Sequence, residues 1–150
     1  MTLKNATNFF ESLVSETSKK PEIKVYQEFI QIITGLEKKD LSESEILAIE
    51  TELNSLNLKS NPENRKKYFK KVLSKFEKYL KDTFSLTAKG YYTKLYAGLG
   101  LSFGLLFGVA IFSNFERSLG ISLGLIGGMV VGSLIGRDKD AQAKAAGKML

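Results

Sequence analysis

The sequence predicts an all-α protein, a cytoplasmic helical bundle followed by a two-helix transmembrane hairpin, on three observations. Apolar side chains recur at three- and four-residue spacing through residues 1–90, the period of a helix with one buried face. Residues 95–136 carry no charge apart from Glu116 and Arg117. Within that stretch, GISLGLIGGMVVGSLIG places a glycine at every fourth position from Gly120 to Gly136. In a water-exposed helix each glycine costs roughly 1 kcal/mol relative to alanine. In lipid, where no hydrophobic effect draws helices together, glycine lets two backbones approach. The chain therefore divides near residue 90, into a four-helix domain over 1–90 and a membrane hairpin over 91–150 that ends in a short basic tail.

The first helix is expected from Leu3 to Thr17, with Phe9, Phe10, Leu13 and Val14 apolar. Pro21 suits the first turn of a second helix, where its missing N–H is not needed. That helix carries Val25, Tyr26, Phe29, Ile30 and Ile33 and is expected to stop near Gly35. Ser42 followed by Glu45 is a capping box, opening a third helix with Ile46, Ile49, Leu53 and Leu56 at helical spacing. Asn61 and Pro62 are expected to open a fourth, with Phe69, Val72, Leu73, Phe76, Leu80 and Phe84 on one face. Four amphipathic helices with short connections form a bundle whose apolar stripes are its core.

Two spans follow, Leu95–Ser113 and Ser118–Gly136, each of 19 uncharged residues. At 1.5 Å per residue each reaches about 28 Å, close to the hydrocarbon thickness of a bilayer. Tyr91, Tyr92 and Tyr96 stand at the start of the first span, where interfacial aromatics belong. The connection NFER is short enough to be a tight turn. Lys81, Lys89 and Lys94 precede the first span and Arg137, Lys139, Lys144 and Lys148 follow the second, whereas the turn has Arg117 alone. The positive-inside rule then puts both termini in the cytoplasm. The first residues show no apolar run with a cleavage site, so no secretory signal is expected, and the sequon at Asn5 is read as chance.

The first span has its own ladder, Gly100, Gly104 and Gly108, against Gly120, Gly124, Gly128, Gly132 and Gly136 on the second. All eight are helix-packing residues, supporting right-handed crossings near about −40°. Two arrangements fit. Every glycine serves packing within the hairpin, or the longer ladder has surface to spare for other copies of the chain. Spacing four drifts by roughly 40° per step on a 3.6-residue helix, which favours more than one contact. Ser102, Ser118, Ser122 and Ser133 are candidates to line a narrow wet path, although such serines usually bond back to their own helix. Phe103 and Phe107 are candidates for a hydrophobic gate or for lipid contact. No charge lies within either span, which argues against a proton pump or coupled transporter.

Charge is uneven in the first domain. Residues 1–58 hold six basic and ten acidic side chains, and 59–81 hold nine basic against two acidic. Lys67, Lys70, Lys71, Lys75, Lys78 and Lys81 lie opposite the aromatic stripe of the fourth helix; Arg65, Lys67, Lys70, Lys71, Lys75 and Lys78 are the candidate ligand-binding residues. Three readings compete: contact with anionic lipid headgroups, a solvated face matched by the acidic helices, or, in an oligomer, a funnel for a nucleotide or short oligonucleotide held through its phosphates. Tyr68 and Tyr79 flank the face as candidates to stack bases or as boundary residues.

The chain has no cysteine and no histidine, which excludes disulfides, thiol nucleophiles and imidazole chemistry. No nucleophile elbow, P-loop or dinucleotide fingerprint is present. No enzyme activity, metal site or cofactor is expected. The segment GLGLSFGLLFG…GISLGLIGGMVVGSLIG, over residues 95–136, resembles glycine-zipper membrane proteins. The layout also resembles the small two-span effectors of bacterial anti-phage systems, of the Hailong channel type. That resemblance implies a homotetrameric ion channel in the bacterial inner membrane, opened when an oligodeoxyadenylate binds the cytoplasmic domains. It carries no ligand residues over. The alternative is a non-conducting membrane-anchored adaptor, whose bundle binds a protein partner or anionic lipid.

Overall fold

The structure is a computed structural model describing residues 1–60, 62–111 and 117–150. The chain is all-α, with six helices among the described residues: α1 (Leu3–Glu16), α2 (Lys20–Glu37), α3 (Glu43–Ser55), α4 (Arg65–Phe84), α5 (Tyr91–Ile111) and α6 (Arg117–Ala145). It forms two compact units, Met1–Leu86 with Leu150, and Thr87–Met149.

In the first unit, α1 and α2 bury residues at three- and four-residue spacing: Leu3, Ala6, Phe10 and Leu13 on one, Val25, Phe29, Ile32, Ile33 and Leu36 on the other. Aromatic rings from three helices make the centre. Phe10 stacks on Phe29 with centroids 4.2 Å apart, Phe69 meets Phe10 edge-on at 5.9 Å, and Tyr26 meets Phe69 at 5.2 Å. Such offset and edge contacts suit the quadrupoles of the rings and add to the area they bury. α4 closes the core with Phe69, Val72, Leu73, Phe76 and Leu80. α3 adds Ile49 and Leu53, and its Glu50 carboxylate accepts the Leu3 N–H at 3.0 Å. A carboxylate there both satisfies a free first-turn donor of α1 and meets the positive end of its dipole.

Several helix ends differ from expectation. α2 runs two residues past Gly35, which lies inside the helix; a Cβ on Gly35 would stand 2.9 Å from the Leu150 Cβ. α4 starts at Arg65 rather than at Pro62, because the Asn64 side chain accepts the Lys67 N–H at 3.0 Å and acts as the cap. Asn61 lies outside the described residues. α4 ends with Ser85 in the left-handed region (φ 57°), where the Ser85 N–H donates to the Lys81 carbonyl at 3.0 Å, an αL closure usually built on glycine.

The capping box of α3 is complete. Ser42 Oγ accepts the Glu45 N–H and the Glu45 carboxylate accepts the Ser42 N–H at 2.8 Å. Those bonds to the charged form hold the Glu45 carboxyl below its ordinary value. Its contribution to stability is therefore present above the unfolded carboxylate pKa and is lost as pH falls through the lowered folded value. Ser42→Ala is expected to destabilise the first unit by about 1 kcal/mol in urea titration at neutral pH. In strong acid, where the Glu45 half of the box is already gone, the difference between Ser42→Ala and the native chain is expected to shrink.

In the second unit, α5 and α6 are each long and apolar enough to cross a membrane. α5 begins at Tyr91, ahead of Leu95, with Gly90 at φ 76° turning the chain into it. α6 continues nine residues beyond Gly136, so the stretch expected as a basic tail is helical to Ala145. It closes on Gly147 (φ 68°), with Gly147 N–H to the Lys144 carbonyl and Lys148 N–H to that of Ala143, both bonds of a Schellman motif. The NFER turn and the last two residues expected in the first span, Phe112 and Ser113, lie outside the described residues apart from the backbone of Arg117.

Candidate functional site

Two features of the chain are candidates for function, the basic face of α4 and the seam of the hairpin. α4 presents its basic face because its apolar ridge is buried: with Phe69, Val72, Phe76 and Leu80 turned inward, a 3.6-residue turn leaves positions 67, 70, 71, 75 and 78 facing water. Lys67, Lys70, Lys71, Lys75 and Lys78 are all exposed, and none of them stands in an ion pair among the described residues. The face is thus not matched directly by the acidic helices. Like charges four apart repel on a helix by a few tenths of a kcal/mol per pair, so the ridge of lysines stabilises nothing by itself. Lys81 is half-buried at the end of the row.

Arg65 belongs elsewhere. It lies about one turn before Phe69, on the inward side of α4, with its guanidinium 3.8 Å from Glu16 and close enough to Tyr26 to act on its phenol. Burial, reinforced by the nearby Glu22 carboxylate, pushes the Tyr26 phenol up from its ordinary value, and Arg65 opposes the shift. Arg65 thus differs from the lysines in standing beside Glu16 of α1 rather than on the open face. Tyr68 and Tyr79 are boundary residues. The Tyr68 hydroxyl donates to the Asn57 carbonyl at 3.0 Å and the Tyr79 hydroxyl to that of Ala48 at 3.3 Å, so Tyr79 ties α4 to α3 and Tyr68 ties it to the turn that follows α3. Beside Tyr68, a cleft of about 300 Å³ is lined by Glu52, Ser55, Lys71 and Lys75.

In the hairpin, Gly100 lies between Gly128 and Gly132, Gly104 between Gly124 and Gly128, and Gly108 between Gly120 and Gly124. A Cβ on Gly128 would stand 2.8 Å from the Gly104 Cα, and one on Gly124 would stand 2.8 Å from the Gly108 Cα. Gly132 sits against the backbone of Tyr96 and Ala97, and Gly136 against that of Tyr92 and Thr93. Thus all eight ladder glycines face across the hairpin. One glycine suffices where the opposite residue is a tyrosine whose backbone alone meets the seam.

Three of the span serines, Ser102, Ser122 and Ser133, donate to carbonyls four residues back in their own helices, at 3.2, 2.9 and 2.7 Å. Each of these hydroxyl protons is thus used within its own helix. Phe103 and Phe107 are more than half exposed and line an apolar groove of about 600 Å³ together with Leu99, Leu123, Gly127 and Val131.

The sequence reading missed one residue. Asp140 is 8% exposed. Its carboxylate accepts the Tyr92 N–H and the Thr93 N–H, each at 3.0 Å, and the Thr93 hydroxyl at 2.6 Å. It caps the first turn of α5 from α6, and it stands four residues after Gly136, the next step of the ladder. One turn further out, the Thr87 N–H donates to the Lys148 carbonyl at 2.9 Å. The chain matches no protein-family model, no curated protein and no solved structure.

Proposed function

We propose that this is a membrane-anchored protein whose α4 lysine face binds anionic phosphates. The observation that carries the reading is the row Lys67, Lys70, Lys71, Lys75 and Lys78, exposed and without carboxylate partners among the described residues, on a helix separated by six residues from an apolar helix long enough to span a bilayer. Lysines near a charged surface contribute about 1 kcal/mol each. The triple variant Lys70→Glu, Lys71→Glu, Lys75→Glu is expected to lose roughly a hundredfold in affinity. The purified chain in neutral-lipid nanodiscs, titrated with a short oligodeoxynucleotide, reads nucleotide phosphates. Binding of the detergent-solubilised chain to vesicles with and without anionic lipid reads headgroup phosphates. Unchanged affinity of the variant in both arms contradicts the proposal.

A second reading makes the same face the sensor of a homo-oligomeric channel, a tetramer on the resemblance drawn above, in a bacterial inner membrane with both termini cytoplasmic. It is favoured by the connection between α4 and α5, in which Leu86, Thr87 and Ala88 are buried and Thr87 is bonded to the end of the chain. With all ladder glycines facing across the hairpin, the oligomer would be built on other surfaces. Ion flux from vesicles that appears only with the oligodeoxynucleotide supports the channel; silence with bound ligand leaves the anchored binding protein.

A further inference from the structure

From the seam we infer that Asp140 is a register latch, the group that selects one of several nearly equivalent alignments of α5 and α6. A ladder of identical residues does not define its own alignment. Slide α6 by one step, four residues or about 6 Å, and Gly100 meets Gly132 and Gly136, Gly104 meets Gly128 and Gly132, and Gly108 meets Gly124 and Gly128. Every seam contact of the α5 glycines is again glycine on glycine, as in the observed alignment. The flanking positions do not discriminate either, since Leu99, Phe103 and Phe107 on α5 and Leu123, Gly127, Val131 and Ile135 on α6 all repeat at the same spacing and are all apolar or small. Such a slip moves the midpoint of the chain reversal by only two residues. Packed helices are known to step past one another in units of a turn.

Asp140 breaks this degeneracy. Only in the observed alignment does its carboxylate meet the free N–H groups of Tyr92 and Thr93, donors without a partner in their own helix. One step toward the interior of α5, those partners are replaced by N–H groups already bonded within the helix, and the carboxylate is carried toward the apolar span. One step the other way, it passes the end of α5. Either slip leaves a nearly buried charge without its three hydrogen bonds, a large loss for an ionised group. The Thr87–Lys148 bond adds a second tie at the same end. The ladder supplies close packing and the aspartate supplies the alignment.

The native chain has no cysteine, so engineered pairs report alignment directly. Gly104 lies between Gly124 and Gly128, which puts Phe103 and Gly127 at one level of the groove in the observed alignment and Phe103 and Val131 at one level one step away; Phe103→Cys with Gly127→Cys reports the first alignment and Phe103→Cys with Val131→Cys the second. In the full-length chain in vesicles, oxidised with copper phenanthroline, the first pair is expected to dominate. Adding Asp140→Ala or Asp140→Asn is expected to raise the yield of the second pair relative to the first by roughly tenfold or more, the scale of lost charge-assisted hydrogen bonds. An unchanged ratio in both variants overturns the latch. Hydrogen exchange on the unsubstituted chain keeps the test open if the variants fail to accumulate. The Tyr92 and Thr93 amides, which in an uncapped first turn exchange freely, are expected to be slowed at least tenfold, and exchange at the uncapped rate overturns the proposal.

Discussion

Gly128→Leu is expected to unseat the hairpin, at a cost of about 3 kcal/mol or more, the upper range for forcing bulk into a packed interior. A Cβ at this position would lie 2.8 Å from the Gly104 Cα and 2.9 Å from the Gly100 carbonyl carbon, so what must move is backbone, not a side-chain tip. Separating the helices forfeits close contact along the whole seam, and in lipid there is no hydrophobic effect to restore it. Gly127→Leu is the control one residue away. Its Cβ meets nothing within 4 Å, and leucine is the better helix former, so this variant is expected to match or slightly exceed the native hairpin. Unfolding of each variant by rising detergent denaturant separates the two. Equal loss in both would mean that glycine matters through the helix itself rather than through the seam.

Phe10→Ala is expected to destabilise the first unit by about 3–5 kcal/mol, the usual range for removing a buried aromatic ring. Phe10 is fully buried and touches rings from both α2 and α4: Phe29, Tyr26 and Phe69. Its loss opens a cavity where three helices meet, and a small domain has only about 5–15 kcal/mol in total. Phe9→Ala, at a half-buried neighbour, is expected to cost less than half as much. Urea titration followed by hydrogen exchange of α2 amides compares them, and equal effects would contradict the placement of the core around Phe10.

Much of the fold is legible in the sequence because it rests on local periodicity. The buried stripes of α1, α2 and α4 appear as apolar residues three and four apart, and the capping box at Ser42 is written out as Ser-x-x-Glu. The apolar length of α5 and α6 needs no partner to be recognised. What the sequence leaves open depends on contacts between helices. A self-repeating ladder such as Gly120 to Gly136 declares close packing without naming what it packs against, and that Gly132 and Gly136 meet the backbone of Tyr96 and Tyr92 is not written in it. Asp140 reads as one charge among Arg137, Asp138 and Lys139, and only its place four residues after Gly136 hints that it continues the seam. The stretch Ala141–Ala146 is rich in alanine, the best helix former, a signal that outweighs the charges around it and carries α6 to Ala145. Arg65 shares the charge of the lysines, but its angular position, one turn before Phe69, sets it beside Glu16 of α1.

The most direct test of the phosphate-binding account is the salt dependence of oligodeoxynucleotide binding by the full chain reconstituted in neutral-lipid vesicles. Each phosphate neutralised on a single strand contributes about −0.7 to the slope of log affinity against log salt. With all five exposed lysines of α4 engaged, the account predicts a slope near about −3.5, reduced by roughly the share of the three lysines in the Lys70→Glu, Lys71→Glu, Lys75→Glu variant. A flat dependence, or a slope the variant does not change, would contradict it.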